Sequence, residues 1–246
     1  MQIVKDRWLA ERFGHPVFTV TTHGDFGDTA AVLEHVAGRE SASYQARVPV
    51  ESTEAAAVLT RAGFEVVNVA VTLSREPGPI GAADKGVEVR GADPGTDGVV
   101  LDIAERGLIR TRFHLDPSVP NAVAARVKRD WAEASLTGGR GDGMLVAVSD
   151  GKPVGFLAGL QTDDGGRRVR VIDLIAVAAP ARGAGAGRAL AARFVEDAQG
   201  SFEEVRVGTQ AANPEAIRFY ERLGFTTATT AYDLHLHVGD WRGAER

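Results

Sequence analysis

Between Val171 and Gln199 the chain passes from an apolar strand-like run, through glycine at alternate positions, into an alanine- and leucine-rich helix-like run. The turn reads Arg182-Gly183-Ala184-Gly185-Ala186-Gly187. Without a Cβ, glycine lets backbone amides approach a ligand closely. Several of those amides are the unpaired donors of the helix that follows, and the positive end of its dipole faces the same place. Such a turn is a natural pyrophosphate site. Arg182 and Arg188 add cationic charge to it.

Spacing excludes two better-known phosphate turns. A dinucleotide fingerprint needs G-x-G-x-x-G and an acidic residue about twenty positions on, whereas these glycines fall at 183, 185 and 187. A P-loop needs Gly-Lys-Ser/Thr, which is missing here. From this stretch alone, a flexible loop with spare glycines stays open. A second stretch, Asn213-Pro214-Glu215-Ala216-Ile217-Arg218-Phe219-Tyr220-Glu221-Arg222-Leu223-Gly224-Phe225, reads as a helix with both ends marked. Asn213 suits the N-cap, Pro214 the first helical position and Gly224 the stop. Ala216, Phe219, Tyr220 and Leu223 share one face. Tyr220 either points its hydroxyl into a cleft while its ring packs, or is a core residue. A phenol, with pKa near 10, is protonated at neutral pH and can donate to a basic thiolate.

Together the two stretches resemble the signatures of the GNAT superfamily of N-acetyltransferases. Arg182, Gly185 and Gly187 stand at the defining places of its Arg/Gln-x-x-Gly-x-Gly/Ala loop. The resemblance implies that Arg182, Gly183, Ala184, Gly185, Ala186, Gly187 and Arg188 hold the pyrophosphate of acetyl-CoA. It implies that the backbone of Ile175, Ala176 and Val177 pairs with the pantetheine arm, that Asn213 and Phe219 contact the cofactor, and that Tyr220 protonates the departing thiolate. Transfer to a small amine is then direct, with no covalent enzyme intermediate and no metal, and a backbone amide polarises the carbonyl. Asp173 is a lone charge in an apolar strand, where burial would raise its pKa. It reads either as the general base or as a structural acceptor, and ordered water is the alternative base.

The sharpest compositional break is Arg75 to Gly86, with two prolines and three glycines in twelve residues, too many for a helix or central strand. It predicts an N-terminal part (1–76), a linker (77–86) and a larger C-terminal part (87–246). The first part reads as strand 17–21, helix 29–37, strand 46–50, helix 53–62 behind Ser52, then a strand over 64–73. The unit of helix, Ala62-Gly63-Phe64 and strand returns as Leu223-Gly224-Phe225 and strand, which suggests an internal duplication. In the second part, strands are predicted over 87–90, 144–149, 153–160, 168–177, 204–207 and 230–237, with helices over 98–106, 121–135, 189–199 and 214–222. Val123, Val127 and Trp131, spaced by four, mark the apolar face of 121–135. The class is α+β on a mixed, mostly antiparallel sheet. Through the resemblance this becomes a GNAT fold preceded by a smaller, truncated GNAT-like domain.

Trp8-x4-Phe13-Gly14 and Arg112-Phe113-His114-x-Asp116-Pro117 resemble one branch of the superfamily, the bacterial enzymes that acetylate nucleotide-linked amino-dideoxy sugars such as dTDP-fucosamine. In that reading Arg112 meets a phosphate, Phe113 stacks on a sugar or base, and Asp173 lies at the acceptor end; the bland reading makes 112–117 a buried turn. His235 and His237 alternate on the closing strand, but two histidines without a third ligand rarely hold a metal. Arg140-Gly141-Asp142 reads as a turn, and Gly239 to Arg246 as a loose tail. The formal charge of −5 speaks against a nucleic-acid partner, and no apolar run reaches the roughly 18 residues of a membrane helix. Absence of cysteine removes thiolate chemistry and fits a reducing cytoplasm. A homodimer is left open.

Overall fold

The structure, a computed structural model, describes residues 2–21, 30–81 and 86–239. In chain order the elements are β1 (Gln2–Lys5), α1 (Arg7–Phe13), β2 (Val17–Thr21), α2 (Ala30–Ala37), β3 (Ala42–Pro49), α3 (Thr53–Arg61), β4 (Glu65–Arg75), β5 (Glu88–Gly91), α4 (Asp97–Gly107), α5 (Arg112–Leu115), α6 (Asn121–Leu136), β6 (Gly143–Ser149), β7 (Lys152–Asp164), β8 (Arg167–Val177), α7 (Ala186–Glu196), β9 (Glu204–Gln210), α8 (Pro214–Arg222) and β10 (Thr226–Val238). Three are additions to the sequence reading: β1, α1 and the short α5, which falls in the stretch 112–117. β1 carries one partly buried and three exposed residues, so no alternation marks it. α1 is held by Asp6, whose side chain accepts from the Leu9 amide, and is ended by Gly14 at φ 72°.

All ten strands described form one sheet in the order β1-β2-β3-β10-β4-β9-β8-β7-β6-β5. Only β2 with β3 and β8 with β9 run parallel, so the sheet is mixed and mostly antiparallel. The two parallel pairs head equivalent runs. β2, α2, β3, α3 and β4 match β8, α7, β9, α8 and β10 in kind and order. The last strand of each run then pairs into the other half. β4 lies against β9, with Leu73 opposite Val207, while β10 lies against β3, with Leu234 opposite Ala46. β4 and β10 also pair with each other.

The cores record the same exchange. Val71 and Leu73 of β4 are buried with Leu157, Leu190, Phe194 and Phe225 of the C-terminal half. Leu234 of β10 is buried with Phe18, Tyr44, Leu59 and Phe64 of the N-terminal half. The compositional break at 77–86 therefore crosses a continuous sheet rather than a gap between two. Residues 82–85, within the expected linker, and 240–246, most of the expected tail, lie outside the described residues, as does Thr29.

Buried polar groups fasten β10 in place. Asp233 accepts from Arg47 and Asn68, both at 2.8 Å. Asp116, just after α5, lies 2.6 Å from His235 Nδ1 and 2.8 Å from His237 Nε2, and His237 reaches Ser43 at 2.7 Å. Asp116 thus supplies the third group that the sequence lacked beside the two histidines. These separations are hydrogen-bond lengths; two ligands at about 2.1 Å from a tetrahedral zinc would stand about 3.4 Å apart. Burial alone pushes the Asp116 carboxyl up, but the hydrogen bonds from His235 and His237 outweigh it and hold it well below the usual range. His235 is held below its ordinary value chiefly by burial.

Both shifts have one sign in stability. Each group binds protons less readily folded than unfolded, so each contributes stability that is lost as pH falls: His235 below about 6.5, Asp116 below about 4. The urea midpoint at pH 5 should lie below that at pH 7. Asp116→Ala should destabilise by about 3 kcal/mol at pH 7, through the broken buried pair, and leave the loss between pH 7 and pH 5 at least as steep, because Asp116 is the group that raises the His235 pKa against burial; an unchanged midpoint would contradict the fastening role. Residues 87–246 produced alone lack β4, so they should fail to unfold cooperatively, and co-production with residues 1–86 should restore a 1:1 complex. A cooperatively unfolding 87–246 fragment would refute the exchange.

Candidate active site

The site begins where a ladder stops. β8 and β9 pair in parallel from Val169 opposite Glu204 to Ile172 opposite Val207, yet β8 continues to Val177 and β9 to Gln210. Beyond Ile172 the two strands part. β9 stays with β4 and β8 stays with β7, so residues 173–177 have no ladder partner on their β9 side. The β7–β8 register shifts between Ala158, opposite Leu174, and Gly159, opposite Ile172. Asp173 is therefore the extra residue of a β-bulge, which bends a strand and increases its twist.

A cleft of about 680 Å³ opens between the parted strands, lined by Ile172 to Val177, by Val207 to Gln210 and by parts of α7 and α8. At one end is the glycine turn. Gly183 and Gly185 take φ of 84° and 83°, conformations that cost a residue with a Cβ roughly 1–2 kcal/mol. Gly185 caps α7 with no side-chain acceptor, so the helix's first amides stay available. Gly187 fits where a Cβ would lie 3.5 Å from the Phe219 ring. Behind the turn, α7 buries Leu190 and Phe194 against β7. Gly159 makes this possible, since a Cβ there would come within 2.4 Å of Phe194.

Of the residues singled out in the sequence, the structure gathers Ile175, Ala176, Val177, Arg182, Gly183, Gly185, Ala186, Gly187 and Arg188 around this cleft. Asn213, Phe219, Tyr220 and Asp173 line it as well. Ala184 points away into solvent. Asn213 accepts from the Ala216 amide at 3.4 Å and from Arg110 at 3.3 Å, so capping is one of its tasks. Tyr220 stands with a buried ring against Phe219 and Phe225, and burial pushes its hydroxyl well above the ordinary phenol value.

Arg112 and Phe113 stand elsewhere. Arg112 donates to Gln45 of β3 at 3.1 Å and lies 4.6 Å over the Phe113 ring. Phe113 is buried among Leu9, Phe13, Val17 and Val119. Neither lines the cleft: α5 turns them toward the N-terminal half, which is the buried-turn reading of 112–117. Asp173 is held from both sides of its carboxylate, by Arg140 Nε at 2.6 Å and Nη2 at 2.8 Å. A fork–fork pair of this kind uses both oxygens, so Asp173 is a structural acceptor rather than a free base.

Two residues at this end escaped the sequence reading. Arg140 belongs to a glycine-rich turn, and nothing local announces a partner 33 positions on. Lys128 of α6 lines the cleft beside Asp173 and Thr111, yet on a helical wheel it is an ordinary polar residue. Its ammonium lies 4.0 Å over the Trp131 ring. Burial first, then Arg112 and Arg140, lower its pKa to about 7 against the opposing pull of Asp173.

Comparison with known proteins bears on the family and the fold. Residues 110–225 match the acetyltransferase (GNAT) family. The chain is 29% identical over 201 residues to the spore coat polysaccharide biosynthesis protein SpsD of Bacillus subtilis. That match takes in 81% of the chain and 66% of the relative, so the chain spans just under two thirds of the relative's length. In fold, it superposes on a GCN5-related N-acetyltransferase from Sphaerobacter thermophilus with TM-score 0.60 and 18% identity, over 92% of this chain and 74% of that one. It superposes similarly on a tandem GNAT protein from the clavulanic acid biosynthesis pathway, with TM-score 0.61 and 15% identity, over 92% and 76%.

Gly185→Ala should cost about 1–2 kcal/mol of stability through its left-handed backbone and weaken coenzyme A binding about tenfold by crowding the α7 amides. Calorimetric titration with coenzyme A checks the second effect. An unchanged dissociation constant would remove the turn from the phosphate site.

Proposed function

We propose that this chain, whose residues 110–225 match the acetyltransferase (GNAT) family, moves the acetyl group of acetyl-CoA to the primary amine of a nucleotide-linked amino sugar. The observation that carries the donor half is the single cleft in which the α7 amides, the unpartnered backbone of 173–177 and Tyr220 meet. A pyrophosphate at the amides and a pantetheine arm along β8 lead the thioester toward Tyr220. The acceptor half draws on SpsD, whose name ties it to polysaccharide biosynthesis, and on the guanidiniums of Arg110, which lines the cleft, and Arg140, which braces it through Asp173; such groups suit an acceptor bearing phosphate.

The chemistry follows from the groups present. The acceptor nitrogen attacks the thioester carbonyl as a neutral amine, and a backbone amide of β8 left free by the splay donates to the oxygen as charge develops. As the C–S bond breaks, the sulfur takes the Tyr220 proton. A raised pKa keeps that hydroxyl protonated over the working range, so it is always present as a donor. Holding both substrates in one cleft supplies much of the remaining acceleration.

Steady-state release of coenzyme A with UDP-glucosamine, glucosamine and a peptide amine separates a nucleotide-sugar acceptor from other small amines; preference for the peptide would overturn the sugar reading. Tyr220→Phe should lower kcat about 100-fold or more while leaving the acetyl-CoA dissociation constant within twofold, because the ring that packs is retained. An unchanged kcat would exclude the general-acid role.

A further inference from the structure

The reaction needs a proton acceptor for the incoming ammonium, and Asp173 is occupied by Arg140. Across the cleft, the geometry around Lys128 differs from that of an ordinary surface lysine. Its aliphatic stem is half-buried in the wall, its nitrogen sits over Trp131, and the guanidinium of Arg140 lies over the same ring at 4.6 Å. The charged groups facing it are Arg112 and His114 from α5, Arg140 from the turn after α6 and Asp173 from β8. The other ion pairs of α6, Arg129 with Asp102 and Glu105, and Asp130 with Arg12, involve other side chains. One carboxylate, already shared with Arg140, is thus set against two guanidiniums.

Resting on the function proposed above, we infer that Lys128 is the proton acceptor for the acceptor substrate, its neutral Nζ taking a proton from the bound ammonium at the end of the cleft opposite the glycine turn. A lysine whose pKa is about 7 is about half neutral at neutral pH, which suits it to this task. The protons balance. The substrate ammonium gives one to Lys128, and the freed amine attacks the carbonyl carbon. The adduct nitrogen sheds its second proton to water as the C–S bond breaks, and Tyr220 protonates the sulfur and recovers a proton from water. Lys128 then returns its proton to solvent, so one proton is released per acetyl group transferred.

The chain has four lysines, Lys5, Lys85, Lys128 and Lys152, which makes a direct test simple. Competitive labelling of the whole protein with acetic anhydride, read by mass spectrometry, should give Lys128 a midpoint near pH 7, far below the roughly 10.4 of a solvated lysine side chain. With UDP-glucosamine and glucosamine as probe acceptors, log kcat/KM of the unaltered protein should rise to a plateau near pH 7. Lys128→Met should lose about 100-fold at pH 7 and keep rising toward the amine's own pKa, with acetyl-CoA affinity within twofold. Lys128→Arg, which keeps the charge and cannot accept a proton, should be equally impaired. Activity retained in Lys128→Arg would overturn the proposal in favour of an anion-binding charge, as would a Lys128 labelling midpoint above pH 9. Turnover by the unaltered protein that Lys128→Met leaves unchanged would overturn the base role alone. No turnover with either probe would remove both this inference and the sugar acceptor on which it rests.

Discussion

A backbone strand that loses its neighbour on one side exposes a row of donors and acceptors that must be satisfied by something. β8 does this for five residues after Ile172, and the rest of the site is arranged around that loss. The bulge at Asp173 bends the strand just where its neighbour departs. The Arg140 fork pins the bulge from the acceptor side. On the far side, α7 starts directly beyond the strand, so its free amides and the free edge of β8 face the same volume. A ligand with a phosphate head and an extended amide-bearing arm satisfies both at once.

Local physics made the donor end readable in sequence, because glycine spacing, Asn213-Pro214 and the apolar face of α8 each state a backbone requirement within a few residues. Elements with strong periodicity fell where alternation or helical spacing put them, as for α6, β8 and α8. Ends were less legible: β3 begins at Ala42 and β10 at Thr226, each four residues before its apolar signal suggests, because cross-strand partners extend a strand beyond its own pattern. Ser52, a good capping residue by type, makes no side-chain cap bond.

The acceptor end depends on contacts distant in sequence, and there the sequence left alternatives open. Arg112 and Phe113 looked like recognition residues because a cation beside an aromatic ring suits a phosphosugar, yet α5 buries them toward Gln45 and Leu9. Arg140 read only as part of a turn and Lys128 carried no local signal, yet Lys128 lines the cleft and Arg140 braces it through Asp173. Periodicity could not decide either case, since which face of a helix meets the cleft is decided by the chain packed behind it.

The exchange of final strands has a consequence for the order in which this protein is made. β3 and β4 leave the ribosome before the whole of residues 76–225 is made, and only then does β10, the strand that belongs between them, follow. Until β10 arrives, the N-terminal half carries open strand edges on β3 and β4, and its own core lacks Leu234. Unpaired edges of this kind invite pairing with neighbouring chains. The nascent chain therefore depends on reaching β10, and a ribosome stalled before it leaves behind a half-sheet with nothing to close it.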